Sequence, residues 1–259
     1  MPFYKNKADS TNIDLEDSPA QLLGIAVDSE ENSSMHQHQR AQLLYAIDGT
    51  MLITTNSQVS ILPPTKAAWI PPQTPHQGKT HGILKSRNLY FNTTYFNNLP
   101  QVPQVINVTP LLRELIKRAC EFPITQTLNS VDLRLASVIV DEIIRAEKTP
   151  YIIPLPQDKR AKKATEILMQ HTDQSLSIQT IAKNVGTSSR TLTRLFKKET
   201  GMNFSQWHQQ LKLIRSIEFL STTRSVTQTA QLLGFSSDSA FITMFKRLTG
   251  ETPSQYIPH

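Results

Sequence analysis

LSIQTIAKNVGTSSRTLTRLFKKETG, residues 176–201, reads as two short helices joined by a tight turn and presented to nucleic acid. Ser177 can cap a helix whose apolar positions, Ile178, Ile181, Ala182 and Val185, recur at helical spacing. That helix stops at Gly186, because glycine tolerates the positive φ that a sharp exit needs. Ser188 caps a second helix in which Leu192, Leu195 and Phe196 face inward, leaving Arg190, Thr191, Thr193, Arg194 and Lys197 on the outer face. A capped helix with an arginine-rich outer face, held by a shorter supporting helix, is how a helix-turn-helix reads a major groove. Taken alone, the segment is equally a solvated helical hairpin.

The pattern returns in TAQLLGFSSDSAFITMFKRLTG, residues 229–250. There Ala230, Gly234, Ser236, Phe245, Lys246 and Gly250 repeat Ala182, Gly186, Ser188, Phe196, Lys197 and Gly201. The offset is 48 residues at the start and 49 at the end, so one residue is inserted before the second outer helix. Two copies of one unit in one chain argue for a duplicated reader rather than chance. Between them, Trp207, Leu211, Ile214, Ile217 and Leu220 form one stripe, which predicts a single helix over 204–220. Such a strut, about 24 Å long, sets two recognition helices roughly one duplex turn, about 34 Å, apart on one face of DNA.

Arg190 and Arg194 are the leading candidates for base reading, since arginine can bridge the two major-groove acceptors of guanine. Thr193, Ser239 and Thr243 follow them. Ser188, Lys197, Lys198, Ser236, Lys246 and Arg247 are candidates for phosphate contacts, which position the duplex without reading it. The second outer helix offers Asp238, Ser239, Ile242 and Thr243 but no arginine on its reading face, which weakens the case for base contacts there.

Composition agrees with this reading. The net charge of +6 is unevenly divided: residues 1–158 carry 13 Lys/Arg against 15 Asp/Glu, and residues 159–259 carry 14 against 6. A basic surplus confined to the half with the duplicated unit is the footprint of phosphate binding. An apolar content of 38% suits globular domains. No run approaches the roughly 18 apolar residues of a membrane span, and the opening MPFYKNKADSTNIDLEDSP lacks the apolar core of a secretory signal. A lone cysteine, Cys120, cannot form an intrachain bridge; it fits a reducing cytoplasm and a packing role.

In the first half, 22–27, 42–47, 51–54, 59–62, 67–70 and 83–91 have strand-like composition, with turns at Asp48-Gly49, Asn56-Ser57, Pro63-Pro64 and Pro71-Pro72. Short strands at this spacing predict an antiparallel barrel or jelly roll. Alternate residues of a strand share a face, so His36 and His38 can both look into the barrel, where a later strand can bring His76. Thr109 followed by Pro110 opens a helix with Leu111, Leu112, Leu115, Ile116 and Ala119 as its stripe. A second helix follows Ser130, with Leu133, Ala136, Val140, Ile143 and Ile144 inward. This pair either makes a homodimer contact or packs within the chain. KTPYIIPLPQD, residues 148–158, marks a linker. The basic opening of the next helix, Lys159, Arg160, Lys162 and Lys163, either approaches phosphates or is only solvated, with the second preferred.

The double array resembles the AraC/XylS family of bacterial transcription regulators. The match runs through Ile181-Ala182, Gly186, Ser188, Arg190, Leu192, Arg194, Phe196 and Gly201, then Ala230, Gly234-Phe235, Ser239-Ala240-Phe241, Phe245-Lys246, Gly250, Thr252-Pro253-Ser254 and Tyr256. The resemblance implies a seven-helix domain that meets two successive major grooves. His36-Gln37-His38, Gln42 and Gly49, with 71–76 downstream, resemble the two cupin motifs, Gln42 standing where the family has Glu and Gln73 where it has Gly. In cupins such residues hold a metal, and imidazole with carboxylate suits a divalent transition ion. Loss of the carboxylate weakens that case, so no metal is assigned. Polar lining of an effector pocket near His36, His38, Gln42, Tyr45, Trp69 and His76 is preferred to a divalent ion at His36, His38 and His76.

The expected fold is a two-domain α+β chain: an N-terminal cupin-like β-barrel with a helical pair, and an all-α C-terminal domain with two helix-turn-helix units. Its divisions are a sensing domain at 1–105, the helical pair at 106–148, a linker at 149–158 and a DNA-binding domain at 159–259. The expected function is a cytoplasmic, sequence-specific transcription regulator, nucleoid-associated when bound, that activates in response to an effector and is not an enzyme. Expected partners are promoter DNA, a small-molecule effector, RNA polymerase and, as an option, a second copy, with no membrane. The rivals are a repressor of the same family and a cupin-type metalloenzyme with a DNA-binding tail.

Overall fold

The computed structural model describes residues 3–4, 17–30, 32–80, 83–149, 151–171 and 176–257. Residues 5–16, on which the reading of the chain's opening rests, lie outside the described residues. The strands are β1 (Phe3–Tyr4), β2 (Leu22–Ser29), β3 (Ala41–Asp48), β4 (Met51–Thr55), β5 (Gln58–Leu62), β6 (Lys66–Ile70), β7 (His76–Thr80), β8 (Leu84–Phe91) and β9 (Gln104–Asn107). Helices α1 (Pro110–Ala119) and α2 (Ser130–Arg145) follow, then β10 (Ile152–Pro154). The remaining helices are α3 (Lys159–Gln170), α4 (Ile178–Asn184), α5 (Ser189–Thr200), α6 (Phe204–Thr223), α7 (Val226–Leu232) and α8 (Asp238–Thr249), with a final 3-10 turn at Pro253–Tyr256. The chain divides into two compact units, residues 1–55 with 62–149 and residues 56–61 with 150–259. No helix among the described residues is long and apolar enough to cross a membrane.

In the first unit a six-stranded sheet runs in the order β1-β2-β8-β3-β6-β9, antiparallel except for β1 beside β2. Strand β4 pairs antiparallel with β7. Register puts Gln42 opposite Ile70 on one side and Tyr90 on the other. The period of two then sorts the side chains. Leu43, Tyr45, Trp69, Leu89 and Phe91 take the face that packs against Leu112, Ile116, Ala136, Ile139 and Ile143 of the helical pair.

Thr109 accepts from the Leu112 N–H, and proline at the first helical position costs no hydrogen bond, so α1 starts where the sequence places it. Asn129 caps α2. The C-terminus of α1 lies against β2 at Gly24, where a Cβ would come within 2.3 Å of the Ala119 carbonyl oxygen and 2.5 Å of Cys120 Cα. Only glycine admits that approach. Cys120 is buried beside it, and burial pushes its thiol pKa up to about 12, which fits a packing residue. Ile144, expected to face inward, is 48% exposed. The buried stripe of α2 runs through Ala136, Ile139, Val140 and Ile143, and the next residue turns about 100° away from it.

In the second unit β10 pairs antiparallel with β5, Ile153 opposite Val59. The sequence reads 149–158 as linker on its prolines, yet Pro154 closes the strand at a position that an edge tolerates. Asp158 caps α3 and pairs with Arg160 at 2.9 Å, so Arg160 is engaged locally. Helix α6 has 20 residues, about 30 Å, longer than the stripe predicts. Asn203 and Gln206 form a capping box at its start, and its buried face includes Trp207, Leu211, Ile214, Ile217 and Leu220. Arg215 pairs with Glu218 at 2.7 Å and donates to the Met169 carbonyl at 3.1 Å, tying α6 to the end of α3.

His208 of α6 is held neutral: burial, with the Lys212 charge second, lowers its pKa to about 4, and its Nε2 has no partner among the described residues. An unfolded histidine titrates near 6.5. As pH falls through that window the unfolded chain gains a proton that the folded chain refuses, so stability is present above about 6.5 and is lost toward about 4. Melting temperature is expected to drop more steeply between pH 7 and 4.5 in the native chain than in His208→Gln. Parallel curves would assign the acid sensitivity elsewhere.

Candidate functional site

The first helix-turn-helix is built as its sequence dictates. Ser177 accepts from the Thr180 N–H at 3.2 Å and Ser188 from the Thr191 N–H at 3.1 Å, while Gly186 between them takes φ +68°. Leu192, Leu195 and Phe196 are buried. Arg190, Thr193, Arg194, Lys197 and Lys198 are exposed on α5 and, with Ser189, line a surface depression. Among the described residues none of these four cations forms an ion pair, so the face is positive without internal compensation. Lys197 donates to the Gly201 carbonyl at 2.9 Å, completing the end of its own helix. Thr191 is half-buried and its hydroxyl accepts from Ser188 Oγ at 3.0 Å, which gives it to the cap rather than to the outer face.

The second unit repeats this geometry with one shift. Gly234 has φ +66° and Gly250 +79°, matching Gly186 and Gly201. The cap of α8, however, is Ser237, which accepts from the Ala240 N–H at 3.2 Å; Ser236 lies before it in the turn. The inserted residue is absorbed in the turn, so Ser237 is the counterpart of Ser188. Ser239, Thr243, Lys246 and Arg247 are exposed on α8. Arg247 donates to Gln209 Oε1 of α6 at 2.9 Å, and Asp238 accepts from Thr227 of α7 at 2.5 Å.

In the first unit three imidazoles converge. His36 bridges to His76 through reciprocal backbone hydrogen bonds of 2.9 and 2.8 Å. The His76 ring centroid lies 4.4 Å from that of His36 and 5.1 Å from that of His38. His76 is buried, His38 half-buried and His36 exposed, so the cluster opens to solvent on one side. Burial first, then the charges of His36 and His38, lowers the His76 pKa to about 4 against the Thr74 carbonyl, which raises it. Gln42 faces His38 at 3.2 Å, and its amide donates to Asn88 Oδ1 and Tyr90 Oη at 3.2 Å each.

Comparison with known proteins fits both halves. Residues 19–140 match a family model described as an AraC-like ligand binding domain, and residues 181–258 match one described as a helix-turn-helix domain. The chain is 31% identical over 228 residues to the HTH-type transcriptional regulator NimR of Escherichia coli, covering 88% of this chain and 83% of that one. The chain belongs to the AraC family. This AraC-family regulator is also 28% identical over 103 residues to the arabinose operon regulatory protein of E. coli, over 39% of this chain and 35% of that one. A solved AraC-type DNA-binding regulator from Chromobacterium violaceum is 31% identical, with a TM-score of 0.36 over 38% of this chain and 88% of that one. The relatives named here are transcription regulators, and this chain is a helix-turn-helix transcription regulator of the same family, with an N-terminal ligand-binding domain.

Of the sensor residues expected from sequence, the fold of this AraC-family chain brings His36, His38, Gln42 and His76 together. Tyr45 and Trp69 it sets on the opposite face of the sheet, in the core beneath the helical pair. Tyr45 donates to the Pro64 carbonyl at 2.9 Å and Trp69 to the Pro100 carbonyl at 2.7 Å, so both are satisfied as core residues. Its position three residues along β3 separates Tyr45 from Gln42, and the register of β6 with β3 separates Trp69. Asn88 and Tyr90, which hold the Gln42 amide, were not singled out as site residues; their signal was the same alternation on β8.

Gln73, standing where the cupin motif has glycine, adopts φ +57°. An L side chain in that region costs about 1–2 kcal/mol. Gln73→Gly is therefore expected to raise the melting temperature by a few degrees, the gain reduced by glycine's greater freedom when unfolded. An unchanged or lower midpoint in differential scanning fluorimetry would mean that the 3.2 Å contact from Gln37 to Gln73 offsets the strain.

Proposed function

We propose that this chain is an effector-responsive transcription activator that reads promoter DNA with α5 and α8 and recruits RNA polymerase from the bound site. The reading rests on one observation: the outer face of α5 carries Arg190, Arg194, Lys197 and Lys198 exposed together, on a capped helix-turn-helix that occurs twice. Arg190 and Arg194 are the base readers, supported by Thr193 and, on α8, by Ser239 and Thr243. Ser188, Lys197, Lys198, Lys246 and Arg247 contact phosphates, and Ser237 takes the place given to Ser236 by spacing. The effector enters the first unit at His36, His38, Gln42 and His76. An effector acts here only through unequal affinity for two states of the protein. The protein works in the cytoplasm.

Selection of bound duplexes from a random pool by the purified chain tests the reading. Two short motifs about one helical turn apart are expected, with binding that weakens with salt by a log–log slope of about −0.9 per phosphate neutralised. Retention of all sequences alike would overturn it.

The same reading includes a homodimer. Val131 and Val138 are 61% and 43% exposed on one stripe of α2, seven residues apart. Joint replacement of both by Lys is expected to turn a dimer into a monomer in sedimentation equilibrium while the melting temperature holds. A native chain that sediments as a monomer at high concentration removes the dimer.

A further inference from the structure

We propose that Glu199 is a positioning residue for DNA reading: its carboxylate pins the back of α5 to the start of α3 and so fixes the direction in which Arg190 and Arg194 point. The proposal rests on the reading of α5 as the first recognition helix.

The first support is the contact itself. Glu199 Oε2 accepts from the Gln157 N–H at 2.7 Å and from the Asp158 N–H at 2.9 Å. Asp158 caps α3, so these two donors stand just ahead of the helix, where no turn of α3 supplies them with an acceptor. The Asp158 carboxylate is occupied by the N–H and the guanidinium of Arg160. Hydrogen bonds from a backbone N–H to an ionised carboxylate are roughly twice as strong as neutral ones.

The second support is that α5 alone would not choose an anion there. Glu199 lies in the last turn of Ser189–Thr200, where the partial negative charge of the helix end disfavours it, and a helix that meets phosphates gains nothing from it. Lys197 and Lys198 precede it, yet among the described residues Glu199 forms no ion pair. Its half-buried carboxylate is committed to the opening of α3 instead.

Geometry supplies the third. At about 100° per residue, Glu199 lies about 180° round α5 from Arg190 and about 140° from Arg194. The tie is on the back of the helix while the arginines are on its front. Leu192, Leu195 and Phe196 hold α5 down by apolar packing, which is non-directional. Two directional bonds at one point behind the arginines add what that packing lacks, a fixed roll. The segment they grip is itself anchored. The Pro154 carbonyl accepts from Trp207 Nε1 at 2.7 Å, the Leu155 N–H donates to the Ser57 carbonyl at 2.7 Å, and the Gln157 amide donates to the Asn56 carbonyl at 3.1 Å.

The full-length native chain, Glu199→Ala, Glu199→Gln and Glu166→Gln are compared on the selected duplex and on its single-base variants. Glu166 is exposed on α3, so Glu166→Gln makes the same change of charge as Glu199→Gln away from the contact. Glu199→Ala is expected to weaken the selected duplex by about 10-fold, because binding must then restore an orientation that the free protein no longer holds. Glu199→Gln, which keeps one acceptor oxygen but no charge, is expected to lose about 3-fold. Removal of an anion by itself acts with the opposite sign, so Glu166→Gln is expected to bind as the native chain does or slightly tighter. Base preference is expected to relax at the positions assigned to Arg190 and Arg194 and to hold at the motif assigned to α8, whereas a chain that is only destabilised loses both alike. Without DNA, hydrogen exchange is expected to quicken at 157–158 and along α5 in Glu199→Ala. The proposal is overturned if Glu199→Ala binds as tightly as the native chain, if both motifs relax together, or if exchange along α5 is unchanged. A native chain that selects no paired motif removes the reading of α5 as a recognition helix, and the exchange measurement still decides whether Glu199 holds that helix in place.

Discussion

Arg190→Ala and Arg194→Ala are each expected to weaken binding to the selected duplex by about 5- to 150-fold, the range that corresponds to about 1–3 kcal/mol per base contact. The two residues are four apart on α5, so they sit one helical turn from each other on the same exposed face. Truncation of either touches no buried group, which keeps the fold out of the measurement. The diagnostic quantity is a pattern across sequences. Each arginine variant is expected to relax preference at one base position, seen when the selected duplex is varied one base pair at a time. Lys198→Ala, which would remove the proposed phosphate contact, is expected to weaken every duplex alike and to lower the salt slope by about one unit of charge. Ser239→Ala and Thr243→Ala on α8 are expected to cost less, since a hydroxyl reads bases with one hydrogen bond where arginine forms two. Arg190→Ala losing affinity evenly over all base variants would remove it from the reading face.

The helical half was largely legible because its determinants are local. Ser177, Ser188, Gly186 and Gly201 act within their own helix ends, and the buried stripes of α5 and α6 follow from period 3.6. The cap at Ser237 was missed for a local reason too: in the run Ser236-Ser237-Asp238-Ser239 several residues can cap, and only the backbone decides which one does. The sheet was harder. Strand β7, His76-Gln-Gly-Lys-Thr, has no strand-like composition and pairs with β4 through backbone bonds that side chains do not advertise. Strand β10 was hidden among prolines. At the candidate sensor site, sequence spacing grouped the three histidines and Gln42, which the fold brings together. It missed the side of the sheet taken by Tyr45, which alternation along β3 already separates from Gln42, and by Trp69, which the register of β6 with β3 fixes.

Trp207→Ala is expected to cost the helical unit about 3–5 kcal/mol, the usual penalty for emptying a large aromatic site in a core. Trp207 is fully buried on α6, its ring 5.5 Å from that of Phe196 at a steep angle, and its Nε1 donates to the Pro154 carbonyl at 2.7 Å. Alanine removes the ring, leaves a cavity against Phe196 and deprives a carbonyl of its donor. Because Phe196 belongs to α5, the damage falls on the helix that carries Arg190 and Arg194. DNA affinity is therefore expected to fall at temperatures where the chain is still folded, unlike a change that only lowers the melting point. Trp207→Phe separates the two contributions, since it keeps an aromatic ring and loses the hydrogen bond; about 1–2 kcal/mol is expected from that bond and the smaller ring. Urea denaturation gives the free energies, and hydrogen exchange read peptide by peptide locates the loosening in α5 and α6. A loss below about 1 kcal/mol for the alanine variant, or exchange unchanged in α5, would mean that the strut does not hold the reading helix in place.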